Sequence, residues 1–272
     1  SSQIDLTAVA VGRQAAGPTP EPRDLASVLL YRGQPLPVVA VESGQALVCL
    51  VRGPSRKIAA RALGPIGPPV YESVKGEITV GVAPSSAKTE ASLRPESRVR
   101  FIWPVPKSVA AAPGAQLFDR SRDLTAADGG LQWMLSEGEY KTSIGPTSLA
   151  DATAAAGLEA LASGDRRAVV LVLGDEWADA SRHSPESVRR YLESLHVPLF
   201  VWSLFPPARQ RLASSWGKVE DVSDPVKLGK AVDALKAALA SQYVVWVRGR
   251  YMPQEIALSD KAVGFLLPGS PP

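Results

Sequence analysis

The chain has 272 residues, 45% of them hydrophobic and 21% charged, which is enough for one large domain or one medium domain with a small partner and argues against disorder. Its formal charge of +3, with a pI near 9.0, is a small excess, and no basic stripe interleaved with aromatic residues marks it as a nucleic-acid binder. No run of eighteen apolar residues predicts a membrane-spanning helix.

Residues 1–43 read as β structure without helices. Ile4, Leu6, Ala8 and Ala10 alternate with their neighbours at the period of a half-buried strand. Pro18, Pro20 and Pro22 make a loop, since proline removes a backbone donor. The apolar runs 27–31 and 36–41, separated by Arg32 and Gly33, predict a hairpin. Forty such residues bury little by themselves and need a support.

From Ala46 the pattern changes to apolar strands alternating with amphipathic helices. Strands are expected at 46–51, 77–83 and 98–103. Lys57 to Leu63 could open a helix, broken by Gly64, Pro65 and Gly67, and 104–114 reads as loop. An alanine-rich helix at 147–163, N-capped by Thr147 or Ser148, leads into the wholly apolar strand 168–173. A helix at 185–195 buries Val188, Leu192 and Leu195. A strand follows at 198–204, then a helix at 226–240 with Leu228, Val232, Leu235 and Leu239 on one face. Strands apolar on both faces, alternating with helices, predict an α/β fold: a doubly wound, mostly parallel sheet with 46–51 beside 168–173 at its centre. The remaining strands, at 243–247, 255–258 and 262–267, return to β character. The expected organisation is an N-terminal β segment (1–43), an α/β domain (44–242) and a C-terminal β segment (243–272) that packs with the first as one small discontinuous β subdomain.

Enzyme signatures are missing: there is no dinucleotide or phosphate loop and no nucleophile elbow. Cys49, the lone cysteine, sits in an apolar run and reads as a core residue. His183 and His196 read as solvated loop residues, and nothing has zinc-ligand spacing.

Two segments stand out. One is Thr147-Ser148-Leu149-Ala150-Asp151-Ala152 at a helix start. The other is the apolar strand ending Leu173-Gly174-Asp175-Glu176, followed by Ser184-Pro185 opening a helix and by Val197-Pro198-Leu199-Phe200. Together, from Phe118 to Tyr243, they resemble the von Willebrand factor A family in its bacterial, acidobacterial-type envelope branch. The stretch from Asp24 to Val38 is similar to the segment that precedes such domains, and Ser241-Gln242-Tyr243 to the one that closes them. The resemblance implies a metal-ion-dependent adhesion site in which Thr147 and Asp175 match two ligand positions. The Asp-x-Ser-x-Ser that completes the site is replaced by Arg52-Gly53-Pro54-Ser55-Arg56, and fixed cations there would repel Mg²⁺. Thr147 and Asp175 are therefore expected to be vestigial, with Arg52 or Arg56 close to Asp175, and no cofactor or metal is expected. Arg52, Ser55, Arg56, Thr147, Asp175, Glu176 and Asp179 line the expected crevice.

The function expected is a non-catalytic protein-binding module, a structural or assembly subunit of a secreted, periplasmic or envelope complex whose partners are other proteins. An N-terminus at Ser1-Ser2 fits a removed leader and fits truncation equally. Two alternatives stand beside this: a metal-dependent adhesin rescued by Ser55, Glu176 and Asp179, and a hydrolase using Asp175 and Glu176.

Overall fold

The computed structural model describes residues 5–15, 17–53, 69–74, 77–82, 93–107, 117–125, 131, 135, 146–174 and 178–269. The first strand, β1 (Leu6–Arg13), leads to a single helical turn, α1 (Pro22–Leu25), started by proline at its first position. Helix in the first 43 residues is a departure from the all-β expectation. Then come β2 (Leu29–Tyr31), β3 (Gln34–Pro35) and β4 (Val38–Glu42). The turn at Arg32 and Gly33 has φ of 49° and 81°, the left-handed pair of a tight hairpin. That hairpin is shorter than predicted: β2 pairs with β3, while β4 joins another sheet.

The central strand β5 (Ala46–Arg52) is buried along its whole length. Next are β6 (Pro69–Val74) and β7 (Glu77–Val82), which pair antiparallel with each other as a two-stranded sheet. Residues 77–82 are therefore a strand, as expected, but of a local hairpin and not of the parallel sheet. The expected helix start at Lys57 lies outside the described residues. β8 (Ser97–Lys107) runs beyond the expected end, through Pro104 and Pro106. Those prolines fall past its pairing with β5, on the stretch that meets β9 (Leu117–Arg120) with an irregular register, where a missing backbone donor is tolerated. β10 (Leu124–Thr125) completes that edge.

Helix α2 (Leu149–Ala162), β11 (Arg166–Leu173), α3 (Pro185–Ser194), β12 (Leu199–Ser203), β13 (Glu220–Asp221) and α4 (Pro225–Ala240) follow. The chain closes with β14 (Gln242–Arg248), β15 (Ile256–Leu258) and β16 (Phe265–Leu266). The seven-stranded sheet runs β10-β8-β5-β11-β12-β13, with β9 against β8. Its four inner pairings are parallel and only the β9 and β10 edge is antiparallel. β5 and β11 lie side by side at the centre, in register from Ala46 opposite Arg166 to Arg52 opposite Val172. This is an α/β fold with a mostly parallel sheet.

Alternation along the two central strands divides the core. Val48, Leu50, Val170 and Val172 face Leu228, Val232 and Leu235 of α4. Leu47, Cys49, Val169 and Leu171 face the alanines of α2 and, on α3, Val188 and Leu192. Helices thus cover both faces. Burial pushes the Cys49 thiol up to about 12, which makes it an inert core residue. The alanine stripe lets α2 approach the sheet, and Gly157 lets it approach α3: a β-carbon there would sit 2.0 Å from Leu192 Cδ2. A further brace joins α2 to β8. Arg100 Nε lies 2.7 Å from Asp123 and its Nη1 2.6 Å from Glu159 on the helix, while Arg98 bridges Asp123 and Asp165.

The N-terminal and C-terminal β segments meet. β1 pairs antiparallel with β14 from Leu6 opposite Arg248 to Gly12 opposite Gln242, in a sheet ordered β16-β1-β14-β4. Val9, Val11, Leu25, Leu29, Leu36, Val245, Val247 and Ile256 form its core. Two side chains tie this unit to the central sheet. The Gln242 amide accepts from Arg167 N and donates to Arg167 O, at 2.9 and 3.0 Å, so it fastens β14 to the base of β11. His196, at φ 56°, donates from Nε2 toward the Pro253 and Ile256 carbonyls at 3.0 and 3.2 Å. Both partners are acceptors, so Nε2 carries the hydrogen, and buried Nδ1 has no partner among the described residues. His196 is therefore a half-buried docking pin, not the solvated residue its sequence position suggests.

Replacing Gly157 with leucine is expected to force α2 and α3 apart at a cost of about 1–3 kcal/mol, read as a lower urea midpoint. Burial, with a smaller push from Arg167, holds the His196 pKa below the ordinary histidine value of about 6.5. The unfolded chain then takes up the proton first, so this contribution to stability is complete above that value and is lost as the pH falls below it. Urea midpoints should drop between about pH 7 and pH 5.5. The His196→Gln variant, which cannot titrate, should show a flatter profile.

Candidate functional site

Ligand sites in open α/β sheets lie at the C-terminal ends of the parallel strands. Here that crest is framed by the end of β5, the end of β11, the start of α2 and the loop 178–184. Arg52 closes β5 with 1% of its surface exposed, and Gly53 N bonds back to Val172 O at 2.8 Å. A guanidinium so deep at the end of the central strand sets a fixed positive charge under the crest. Of the other predicted site residues, Ser55, Arg56, Asp175 and Glu176 lie outside the described residues, and so does the expected approach of an arginine to Asp175.

Thr147 and Asp179 are brought together, and their roles are specific. Ser148 occupies the N-cap position of α2, yet its side chain makes no cap hydrogen bond. The first amides of the helix are satisfied from across the crest instead. Asp179 accepts from Leu149 N at 2.8 Å and from Ala150 N at 3.0 Å, and Ser181 Oγ accepts from Asp151 N at 3.0 Å. Thr147 contributes its carbonyl, which accepts from Ala180 N at 2.8 Å. Ser181 also donates to Asp179, through its N at 3.0 Å and its Oγ at 2.6 Å. A carboxylate at a helix N-terminus is favoured by the helix dipole as well as by these bonds.

The interaction is reciprocal. Asp151, buried in the first turn of α2, accepts from Arg182 N at 2.9 Å, from His183 N at 3.2 Å and from His183 Nδ1 at 2.8 Å. Burial alone would raise the Asp151 carboxyl, but the Arg182 amide, the His183 ring and the His183 amide together hold it below its ordinary value. His183 remains largely exposed while its ring is oriented by Asp151. Asp151, Ser181 and His183 were not singled out from sequence as site residues. The available signal was Asp151 at the third helical position, where an acidic side chain is expected to reach back toward the preceding chain. A second wall stands beside the crest: Gln210, buried, donates from Nε2 to Gly174 O at 3.1 Å and so holds the segment 205–218 against the end of β11.

This arrangement is a self-satisfied clamp. Its carboxylates accept from backbone amides and from the Ser181 and His183 side chains. Among the described residues no cluster of three His, Cys, Asp or Glu side chains could hold a metal ion, and no helix is long and apolar enough to cross a membrane.

No family model matches the chain, and no curated protein does either. Among solved structures, proximal thread matrix protein 1 from the mussel byssus is similar at a TM-score of 0.39 and 14% identity, over 81% of this chain and 50% of that one. Its second crystal form is similar at 0.39 and 16%, over 74% and 47%. The match spans about half the length of that protein, and a likeness at this level bears on neither fold nor function.

Asp179→Ala is expected to strand two helix amides and cost about 1–3 kcal/mol, measured by urea denaturation. The same variant should speed proteolysis within 178–184, whereas Asp179→Asn, which keeps one acceptor, should fall between it and the parent.

Proposed function

We propose that this chain is a von Willebrand factor A-like, non-catalytic protein-interaction module serving as a structural or assembly subunit of a bacterial envelope or extracellular complex. The observation that carries the reading is Arg52, which places a buried positive charge at the end of β5, where the family's first metal-binding aspartate would stand. A guanidinium in a ligand position donates hydrogen bonds and has no lone pair to give a cation. The order α2, β11, α3, β12, α4 matches the element order implied by the motifs around Thr147 and Val197, and it supports the family resemblance. Fold alone does not give function, so the interaction role rests on the family resemblance and on the braced surface that the clamp keeps.

Asp179 was the described candidate for rescuing a metal site. Both of its oxygens already accept helix amides, which favours the metal-free module over the adhesin. The envelope location is proposed from the resemblance.

Calorimetric titration with Mg²⁺ and with Mn²⁺ at neutral pH should give no saturable heat, and a one-to-one isotherm for either ion would sink the metal-free reading. Chemical crosslinking on native envelopes should then recover a stoichiometric protein partner; recovery of the chain alone would sink the assembly role.

A further inference from the structure

The positive charge of this protein is concentrated in one stretch of the chain. Residues 182–218 contain six arginines and lysines against two glutamates, a net +4 in a chain whose total is +3. One of those glutamates, Glu186, is paired with Arg190. Elsewhere, Arg98, Arg100 and Arg120 are neutralised by Asp123, Asp165 and Glu159, so they add no field to the surface.

The fold builds a ledge from what remains. α3 packs through Val188 and Leu192 against the 3-10 turn Ala213–Trp216, whose Trp216 is buried beneath it. The turn ends at Gly217, with φ 77°, and Arg189 Nη1 lies 2.6 Å from the place a β-carbon would take there. Glycine is required twice over, by the left-handed backbone and by the guanidinium resting on it. Arg189 is thereby set beside Lys218, the next residue. Arg209 closes the 3-10 turn Pro207–Arg209 just upstream, on the segment that Gln210 anchors to the crest. Arg189, Arg209 and Lys218 are all exposed, and no ion pair or side-chain hydrogen bond engages them among the described residues.

We propose that this ledge, Arg189, Arg209 and Lys218 at the α3 side of the crest, is the docking surface for an acidic peptide segment of a partner protein. The proposal rests on the protein-interaction reading and names the chemistry of the partner. A single exposed ion pair contributes little, so three free cations select a segment with several carboxylates over a lone glutamate. Arginine adds geometry, because a guanidinium already held on Gly217 loses less freedom when it grips a carboxylate. Single-stranded nucleic acid fits less well: stacking needs exposed aromatic faces, and the tryptophan of this region, Trp216, is in the core.

The test is fluorescence anisotropy on the full chain with a labelled deca-glutamate peptide and with a labelled deoxythymidine oligomer. The peptide should bind at low salt and weaken toward about 150 mM salt. The triple variant R189E/R209E/K218E should lose at least about ten-fold in peptide affinity. The control R23E/R250E/K261E, which reverses three exposed charges on the terminal β unit, should bind as the parent does. Equal loss in both variants would reduce the effect to net charge and overturn the proposal, as would ledge-dependent binding of the oligomer tighter than that of the peptide. Crosslinking the triple variant on native envelopes separates the two levels. Capture of the same partner at parental yield overturns the ledge alone, whereas absence of any partner for the parent chain overturns the interaction reading itself.

Discussion

Everything in this fold depends on two adjacent strands that are buried on both faces. β5 and β11 expose no side chain to solvent along their length, so each face must be covered. Parallel pairing supplies the cover, because the chain has to cross over a face to return in the same direction, and helices make the crossing. α2 and α3 cover one face and α4 the other. The small residues of α2 follow from the same demand: a helix pressed against a flat apolar sheet and against a neighbouring helix has room for alanine and glycine only.

The ends of the central strands carry the polar cost of this burial. At the base of β11, Arg166 Nη1 donates to Leu239 O near the end of α4, and Arg167 Nη1 donates to Leu161 O near the end of α2. Two buried guanidiniums thus answer the exposed carbonyls and negative ends of two helix dipoles. Burial lowers the Arg167 pKa to about 10, still far above neutrality, so the charge persists. The Gln242 amide completes the base, and through it the terminal β unit is registered on the central sheet. At the opposite end the clamp of Asp151, Asp179, Ser181 and His183 does the corresponding work. At this crest the helix amides and the carboxylates satisfy one another across two segments of the chain.

The sequence by itself determined the parallel core. Long apolar runs at 46–51 and 168–173 can only be central strands, since an edge strand would expose half of each, and helix periodicity at 185–195 and 226–240 placed the crossovers. Local rules also gave the Arg32–Gly33 turn and the core role of Cys49. The structure alone decided which partners complete the polar groups, because those partners are distant in the chain. Ser148 looks like an ordinary cap, yet the cap on Leu149 N comes from Asp179, 30 residues beyond Leu149. His196 looks like a solvated turn residue until the C-terminal segment, about 60 positions on, is laid over it. Residues 77–82 read as another core strand because period and composition do not distinguish a sheet neighbour from a hairpin partner. Arg189, Arg209 and Lys218 look scattered for the same reason. Composition counts charges, whereas only the packing of α3 against the Ala213–Trp216 turn sets Arg189 over Gly217, next to Lys218.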